Sequence, residues 1–414
     1  PISKILIIRP DAIGDVTLII PLINSIKKNF PESKIYTLQQ SYTADLLTNH
    51  PNVEQVIIDW KKSGKANGFM GFLKYAKYIK SFKFDAVIMP YLDGYYASLA
   101  FIARIPNRIG DLNKVLLRPL INKGIHQQFR FLTRHETEQT QSLLEGLEQN
   151  FKKDSTMDIF TDDTGESKAK DLIAIKKLEG KSLIGIHPST GGGNRAWLPK
   201  KYASLIDLIH EKTDLTVIIT GMGKKDEALI EEIISQSKNP PVSLAGKTDL
   251  STLKSIIKKC EVYLGTDTGP THMAAALKVP VVSISPTKFV KSLRWGPWET
   301  PNKVVGNPVD CPYICNPYAC KEPDCLDAID PVEVLEAIQI LRKNKSIGLD
   351  KTDWFRASVN VAFYLTSDKE KDINTALSWY QSALNDDLRA YVICESKKSE
   401  DFCRSKGVKA AHLY

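Results

Sequence analysis

Two series of short, wholly apolar segments, each segment followed by a stretch with helical spacing, constrain this chain more than any other feature. The first series is KILIIR, KIYTLQ, VEQVIID and FDAVIMP; the second is SLIGIHPS, LTVIITG, EVYLGT and VPVVSIS. Strands this short and apolar bury both faces, which calls for parallel sheets covered by helices on each side. Stretches such as Tyr202 to Lys212 and Asp226 to Ser237 supply those helices. The polar run KKDSTMDIFTDDTGESK, from Lys152 to Lys168, separates the series and reads as a linker. The pattern predicts an α/β chain with one doubly wound, Rossmann-like domain over residues 1–160 and a second over residues 161–345. Ligands of such sheets bind at the carboxyl ends of the strands, so two halves imply a cleft between them. A helix from Val332 to Lys343 closes the second half. Residues 346–414 change character: WFRASVNVAFYLTSDKEKDINTALSWYQSALNDD predicts two helices, a helical C-terminal extension packed on the core.

No apolar run approaches the roughly 20 residues of a membrane span. Lys4 and Arg9 interrupt the first apolar segment, unlike a signal peptide. Pro1 in first place implies a removed initiator Met, so the cytoplasm is the expected compartment. The net charge is +8, and six of those charges fall within residues 1–160. That excess favours an anionic partner such as a phosphate, an acidic glycan or an anionic lipid surface. No RNP, KH or zinc-finger pattern accompanies it, so no nucleic acid is expected.

Two segments imitate nucleotide-binding fingerprints and fail. GMGKKD, Gly221 to Asp226, follows a strand but has Asp226 where a third glycine belongs. PVSLAGKT, Pro241 to Thr248, has Pro241 in place of the first P-loop glycine. There is also no Asp-x-Asp pair of the kind that holds a divalent metal against a sugar nucleotide. A bound diphosphate would then be neutralised by protein donors. In VYLGTDTGPTHMAAALKVPVVSISP a strand ends at Gly265, a Thr/Asp/Gly loop follows, and a helix begins near Thr271. Loop N–H groups and the positive helix end favour an anion there, although Asp267 or Thr268 could equally be a plain helix cap. In HPSTGGGNRAWLP three glycines leave room for a ligand and Arg195 offers a fixed cation; Trp197 and Pro199 read as packing residues. At the N-terminus, IIRPDAIGDVTLIIPLI sets Gly14 and Asp15 between two apolar segments.

Taken together, IIRPDAIGDVTLIIPL, HPSTGGGNRAWLPKKYASLI, TGMGKKDEALIEEI, SLAGKTDLSTL, GTDTGPTHMAAALKVPVVSISP and RWGP (Arg294 to Pro297) resemble glycosyltransferase family 9, the heptosyltransferases of lipopolysaccharide core assembly. The resemblance spans about residues 4–340 and leaves out the tail. It implies a GT-B fold, with the acceptor on the first domain and a nucleotide sugar, typically ADP-heptose, on the second. It further implies inverting transfer without a metal or other cofactor. By position, Asp15 would be the general base and Arg195 the cation facing the departing ADP. The rival role for Asp15 is the N-cap of a helix starting at Val16. Gly14 would allow a tight turn and leave space for the sugar. Thr268 and Gly269 would bind the diphosphate, Asp267 the sugar hydroxyls, Glu227 (or Asp226) the ribose, and Thr248 the base. Asn194, Gly221 and His272 complete the expected binding set. Alternatives are another nucleotide-sugar donor, or a degenerate glycan-binding or scaffold member of the family.

Four cysteines, Cys311, Cys315, Cys320 and Cys325, lack the paired spacing of common zinc sites and read as structural thiols, with a zinc site or a disulfide as the lesser alternatives. FMGFLKYAKYIKSFKF, Phe69 to Phe84, interleaves aromatics with lysines. Such a helix most often buries its aromatic face. With an acidic, membrane-anchored acceptor, peripheral contact with an anionic inner membrane is a further expectation.

Overall fold

The computed structural model describes residues 2–127, 135–190, 196–285, 294–306, 320 and 324–343, and the backbone of 360–365, 389–394 and 410–412. The first half is a five-stranded parallel sheet of β1 (Lys4–Ile8), β2 (Lys34–Gln39), β3 (Gln55–Ile58), β4 (Ala86–Ile88) and β5 (Asn107–Ile109), in the order β3-β2-β1-β4-β5. The second is a six-stranded parallel sheet of β6 (Leu183–His187), β7 (Thr216–Ile219), β8 (Val242–Ser243), β9 (Cys260–Gly265), β10 (Val281–Ile284) and β11 (Asn302–Val305), in the order β11-β10-β9-β6-β7-β8. Each order starts at a central strand, winds one way, then returns to wind the other. Each sheet therefore has a switch point, between β1 and β4 and between β6 and β9, where a crevice opens at the carboxyl ends.

Burial follows the alternation of side chains across each strand. In β1, Ile5 and Ile7 face an apolar cluster that joins the two halves, while Leu6 and Ile8 face the outer helices of the first half. In β9, Tyr263 faces the shared cluster, and Val262 and Leu264 face the outer side of the second half. The halves thus share a core as well as a linker. Lys254, fully buried in the helix Leu250–Lys258, reinforces the junction. Its Nζ donates to the Asp45 carbonyl at 2.8 Å in the first half, to the Phe160 carbonyl at 2.9 Å in the crossing strand of chain, and lies 3.5 Å from Asp162. Burial pulls its pKa down, against the opposing pull of Asp162.

Helix positions match the apolar spacing, with starts moved by a few residues: Pro199–Lys212, Lys224–Gln236 and Pro331–Lys343. The expected linker is shorter than its polar composition implies, because a helix runs from Asp163 to Ile175 and Asp162 caps it through the Gly165 N–H. The tail departs most. Where the first of its two helices is expected, residues Asn360–Leu365 form β12, which pairs in parallel with β13 (Arg389–Cys394), itself paired with β14 (Ala410–His412). The second expected helix lies outside the described residues. NVAFYL is an apolar run as compatible with a strand as with a helix turn, and the two cannot be told apart by periodicity over six residues.

Candidate active site

Chain leaving β1 turns at Arg9-Pro10 and enters a short helix, Ile13–Thr17. Its N-cap is Ala12, so Asp15 stands inside the first turn and is not the cap. The Asp15 carboxylate accepts from Arg9 Nη2 at 2.5 Å. Arg9 is almost wholly buried, and the same Nη2 lies 3.5 Å from Glu136, while its Nε lies 3.2 Å from Asp11 Oδ2 without hydrogen-bond alignment. Glu136 Oε2, in the first turn of the helix Glu136–Ser142, accepts from both Nε and Nη2 of Arg294 of the second half, at 2.9 and 2.8 Å. Burial works against the charge on Arg9, but Asp15, Glu136 and Asp11 outweigh it and hold the guanidinium more firmly protonated than usual. Asp11 is pushed up by burial, partly countered by Arg9.

These groups line a cavity of about 250 Å³ with Pro90, Tyr91 and Trp295. Pro90 and Tyr91 follow β4, so the cavity sits at the switch point of the first sheet. Two guanidinium groups face three carboxyl groups there, a set that can orient a hydroxyl and take a proton from it. Next to Glu136, His135 is buried: Nε2 donates to the Gly296 carbonyl at 2.9 Å, Nδ1 accepts from the Thr137 N–H, and the ring centroid lies 4.4 Å from that of Trp298. Burial lowers its pKa to about 3, so the imidazole is neutral.

The second sheet brings its own switch point against this one. β9 ends in Thr266-Asp267-Thr268, and the helix Gly269–Ala276 begins with Pro270 in its first turn. Thr268 is the N-cap but makes no side-chain capping bond, so the first-turn donors are not consumed by a cap. Asp267 lies 3.3 Å from His272 Nε2. The Thr266 hydroxyl donates to the Ser189 carbonyl, joining this loop to the one after β6. Among the described residues, the Ser189 hydroxyl and His272 Nδ1 are buried with no hydrogen-bond partner. Unpaired buried polar atoms are costly, and a polar ligand is one way to satisfy them.

Gly14 serves close approach and not a tight turn. It is helical, and a Cβ there would come within 2.7 Å of His272 Cδ2; a Cβ on Gly269 would come within 2.6 Å of Ile13 Cβ. The helix carrying Asp15 and the helix Gly269–Ala276 thus pack through two glycines, which bring the switch points of both halves together.

Farther along the second half, Asp226 and Glu227 sit in different surroundings. Asp226 is occupied by the Met222 N–H at 2.9 Å, while the Glu227 carboxylate lies against Gly246, with Oε1 2.8 Å from where a Cβ of that glycine would stand. Gly221 packs against Ile230 and Asp226, and Gly246 N–H donates to its carbonyl at 3.0 Å. Thr248 is buried just before the Asp249 cap of the next helix. Asn194 and Arg195 lie outside the described residues, as do Cys311 and Cys315. Cys325 packs against the outer cluster of the second half. Trp197 is fully buried edge-on to Tyr202, a packing residue. Arg9, Glu136, Arg294 and Tyr91 were not singled out from sequence; Arg294 stood in the RWGP motif without a role.

The family model of glycosyltransferase family 9 (heptosyltransferase) matches residues 72–324. Lipopolysaccharide heptosyltransferase 3 of Escherichia coli K12 is 26% identical over 290 residues, 69% of this chain and 82% of that protein. Lipooligosaccharide heptosyltransferase 2 of Campylobacter jejuni is 25% identical over 362 residues, covering 83% of this chain and 100% of that protein. Among solved structures, a family 9 glycosyltransferase from Veillonella parvula superposes with a TM-score of 0.74 at 21% identity, over 83% of this chain and 98% of its own. E. coli ADP-heptose lipopolysaccharide heptosyltransferase II does so at 0.66 and 20%, over 83% and 99%. Two parallel Rossmann-like sheets with facing switch points, together with these matches, make the chain a GT-B glycosyltransferase belonging to glycosyltransferase family 9.

Proposed function

We propose that this enzyme moves a heptose from ADP-heptose to a hydroxyl of a lipopolysaccharide core or related cell-envelope glycan, with inversion and without a metal. The observation that carries the reading is the Asp15–Arg9–Glu136–Arg294 chain of charges set directly against the uncapped N-terminus of the Gly269–Ala276 helix. The acceptor hydroxyl attacks the anomeric carbon from the side of the first domain, and Asp15 takes its proton. The bond to the ADP oxygen breaks on the opposite face. Backbone N–H groups of Thr268 at the N-cap and Gly269 in the first turn, with the Arg195 cation, receive the charge that collects on the diphosphate. Asp267 binds the heptose hydroxyls and His272 stands beside it; Glu227 binds the ribose, with Gly221 and Thr248 around the base and Asn194 beside the diphosphate. Arg9 keeps the carboxylate of Asp15 oriented. Relatives named for lipopolysaccharide and lipooligosaccharide heptosyl transfer support this substrate class. The enzyme works at the cytoplasmic face of the inner membrane, where an anionic glycolipid acceptor is presented; none of the described helices is long and apolar enough to cross a bilayer.

The test is calorimetric titration of ADP, UDP, GDP and CMP without divalent metal, followed by an ADP-heptose transfer assay. Selective ADP binding with transfer is the expected result. Preference for UDP or GDP would overturn the donor assignment.

A further inference from the structure

We propose that an apolar tip on the rim of the acceptor half inserts into an anionic lipid surface and holds the cleft mouth at the membrane. The proposal deepens the reading above by naming where the protein meets the bilayer that carries its acceptor.

The basic helix Gly68–Ser81 does not offer its aromatic face to lipid. Tyr75 and Ile79 are buried, and Tyr75 and Tyr78 stack on Trp60 with centroids 5.1 and 4.7 Å away. What it leaves in solvent is its N-terminal end, where Phe69 is 73% and Met70 65% exposed. A second apolar element lies nearby. The 3₁₀ segment Val115–Leu120, VLLRPL, has no buried residue; Val115 is 61% and Leu116 93% exposed. The helix Gly94–Ile102 connects the two, because Phe72 packs edge-on to Tyr95 and Leu117 lies over Gly94. Large apolar side chains this exposed on adjacent elements mark an interaction surface.

Charge decides the partner. From Lys61 to Phe84 the chain has seven lysines and no acidic residue, and from Leu112 to His135 it has five Lys/Arg and again none. Lys62, Lys65, Lys114 and Arg118 are exposed around the tip. Apolar side chains ringed by cations fit a bilayer with anionic headgroups, where burial of the tip adds to attraction by the surface potential. Position fits the purpose. All three elements begin on the carboxyl side of β3, β4 and β5, the edge that carries Tyr91 and the Asp15 cavity. An inserted tip would set the cavity beside the headgroup layer, within reach of a lipid-anchored glycan.

The test is co-sedimentation of the full chain with phosphatidylcholine vesicles, with and without phosphatidylglycerol, at low and high salt and with no donor or acceptor present. The wild type is expected to bind the anionic vesicles and to be released by salt. The Phe69→Glu/Leu116→Glu double variant, its thermal midpoint checked for integrity, is expected to bind about tenfold more weakly or worse. A wild type that stays in the supernatant, or a variant that binds like the wild type, overturns the proposal. So does light scattering that shows the tip closing a dimer which the variant dissolves. Because no transfer is measured, failure here leaves the heptosyltransferase reading standing, and failure of that reading leaves vesicle binding interpretable.

Discussion

Replacing Gly14 by Ala sets two effects of opposite sign against each other. Within a helix, Ala is favoured over Gly by about 0.5–1 kcal/mol. The added methyl, however, would lie 2.7 Å from Cδ2 of His272, far inside the 3.4–4 Å of ordinary contact, and the imidazole is 2% exposed, with little room to yield. Overpacking of this kind costs about 1–3 kcal/mol. The clash therefore wins, and Gly14→Ala is expected to destabilise by about 1–2 kcal/mol. The obstruction is a single side chain, so removing it should reverse the sign. In a His272→Ala background the next atom, Gly269 Cα, stands at an ordinary 3.6 Å, and Gly14→Ala should stabilise by about 0.5–1 kcal/mol. Urea unfolding of the four proteins of this cycle, followed by tryptophan fluorescence with the slope held constant, reads the coupling as about 2 kcal/mol. Equal effects of Gly14→Ala in both backgrounds would refute the claim that this glycine exists for close approach between the halves.

Asp15→Asn keeps the shape of the site and is expected to abolish transfer while leaving ADP binding intact; near-normal transfer would remove Asp15 as the base. Glu136→Gln leaves Arg9 and Arg294 short of a shared carboxylate, and a loss of about 3 kcal/mol in urea unfolding is expected, since breaking a buried ion pair strands its partners. Lys254→Met withdraws three contacts at the junction, and faster limited proteolysis within residues 150–162 than in the wild type is the expected readout. Burial pulls His50 down to about 4 and His135 to about 3, so both titrate lower when folded than the usual 6.5 of a free imidazole. The unfolded chain then binds more protons below pH 6.5. Stability present above that pH should fall as pH drops toward 4, by about 1.4 kcal/mol per unit for each histidine. Urea midpoints at pH 7, 6 and 5 that do not decline would contradict the neutral buried imidazoles.

The two sheets were legible because each strand is apolar through both faces and each helix amphipathic, signals that live within a dozen residues. The placement of Asp15 and of the Thr266–Gly269 loop just beyond strand ends was legible too, since strand ends are local features of the sequence. The charge chain was not: Arg9, Glu136 and Arg294 meet only after both halves have folded, and nothing around Arg9 announces a partner more than a hundred positions away. Gly14 was found for a mistaken reason, because a glycine near a strand end reads as a turn when its true neighbour, His272, belongs to the other half. The tail was misread where an apolar run of six residues was too short to distinguish the period of a strand from that of a helix.

Packing the Asp15 helix on the Gly269 helix has a mechanical consequence. A rotation that opened the cleft about this contact would pivot on Gly14 and Gly269. Lengths measured near a fulcrum change little while the far ends swing widely. On the proposed function, a hinge there would part the lips of the cleft for a bulky glycan and a departing nucleotide, yet hold Asp15 and the start of the Gly269–Ala276 helix at nearly constant spacing.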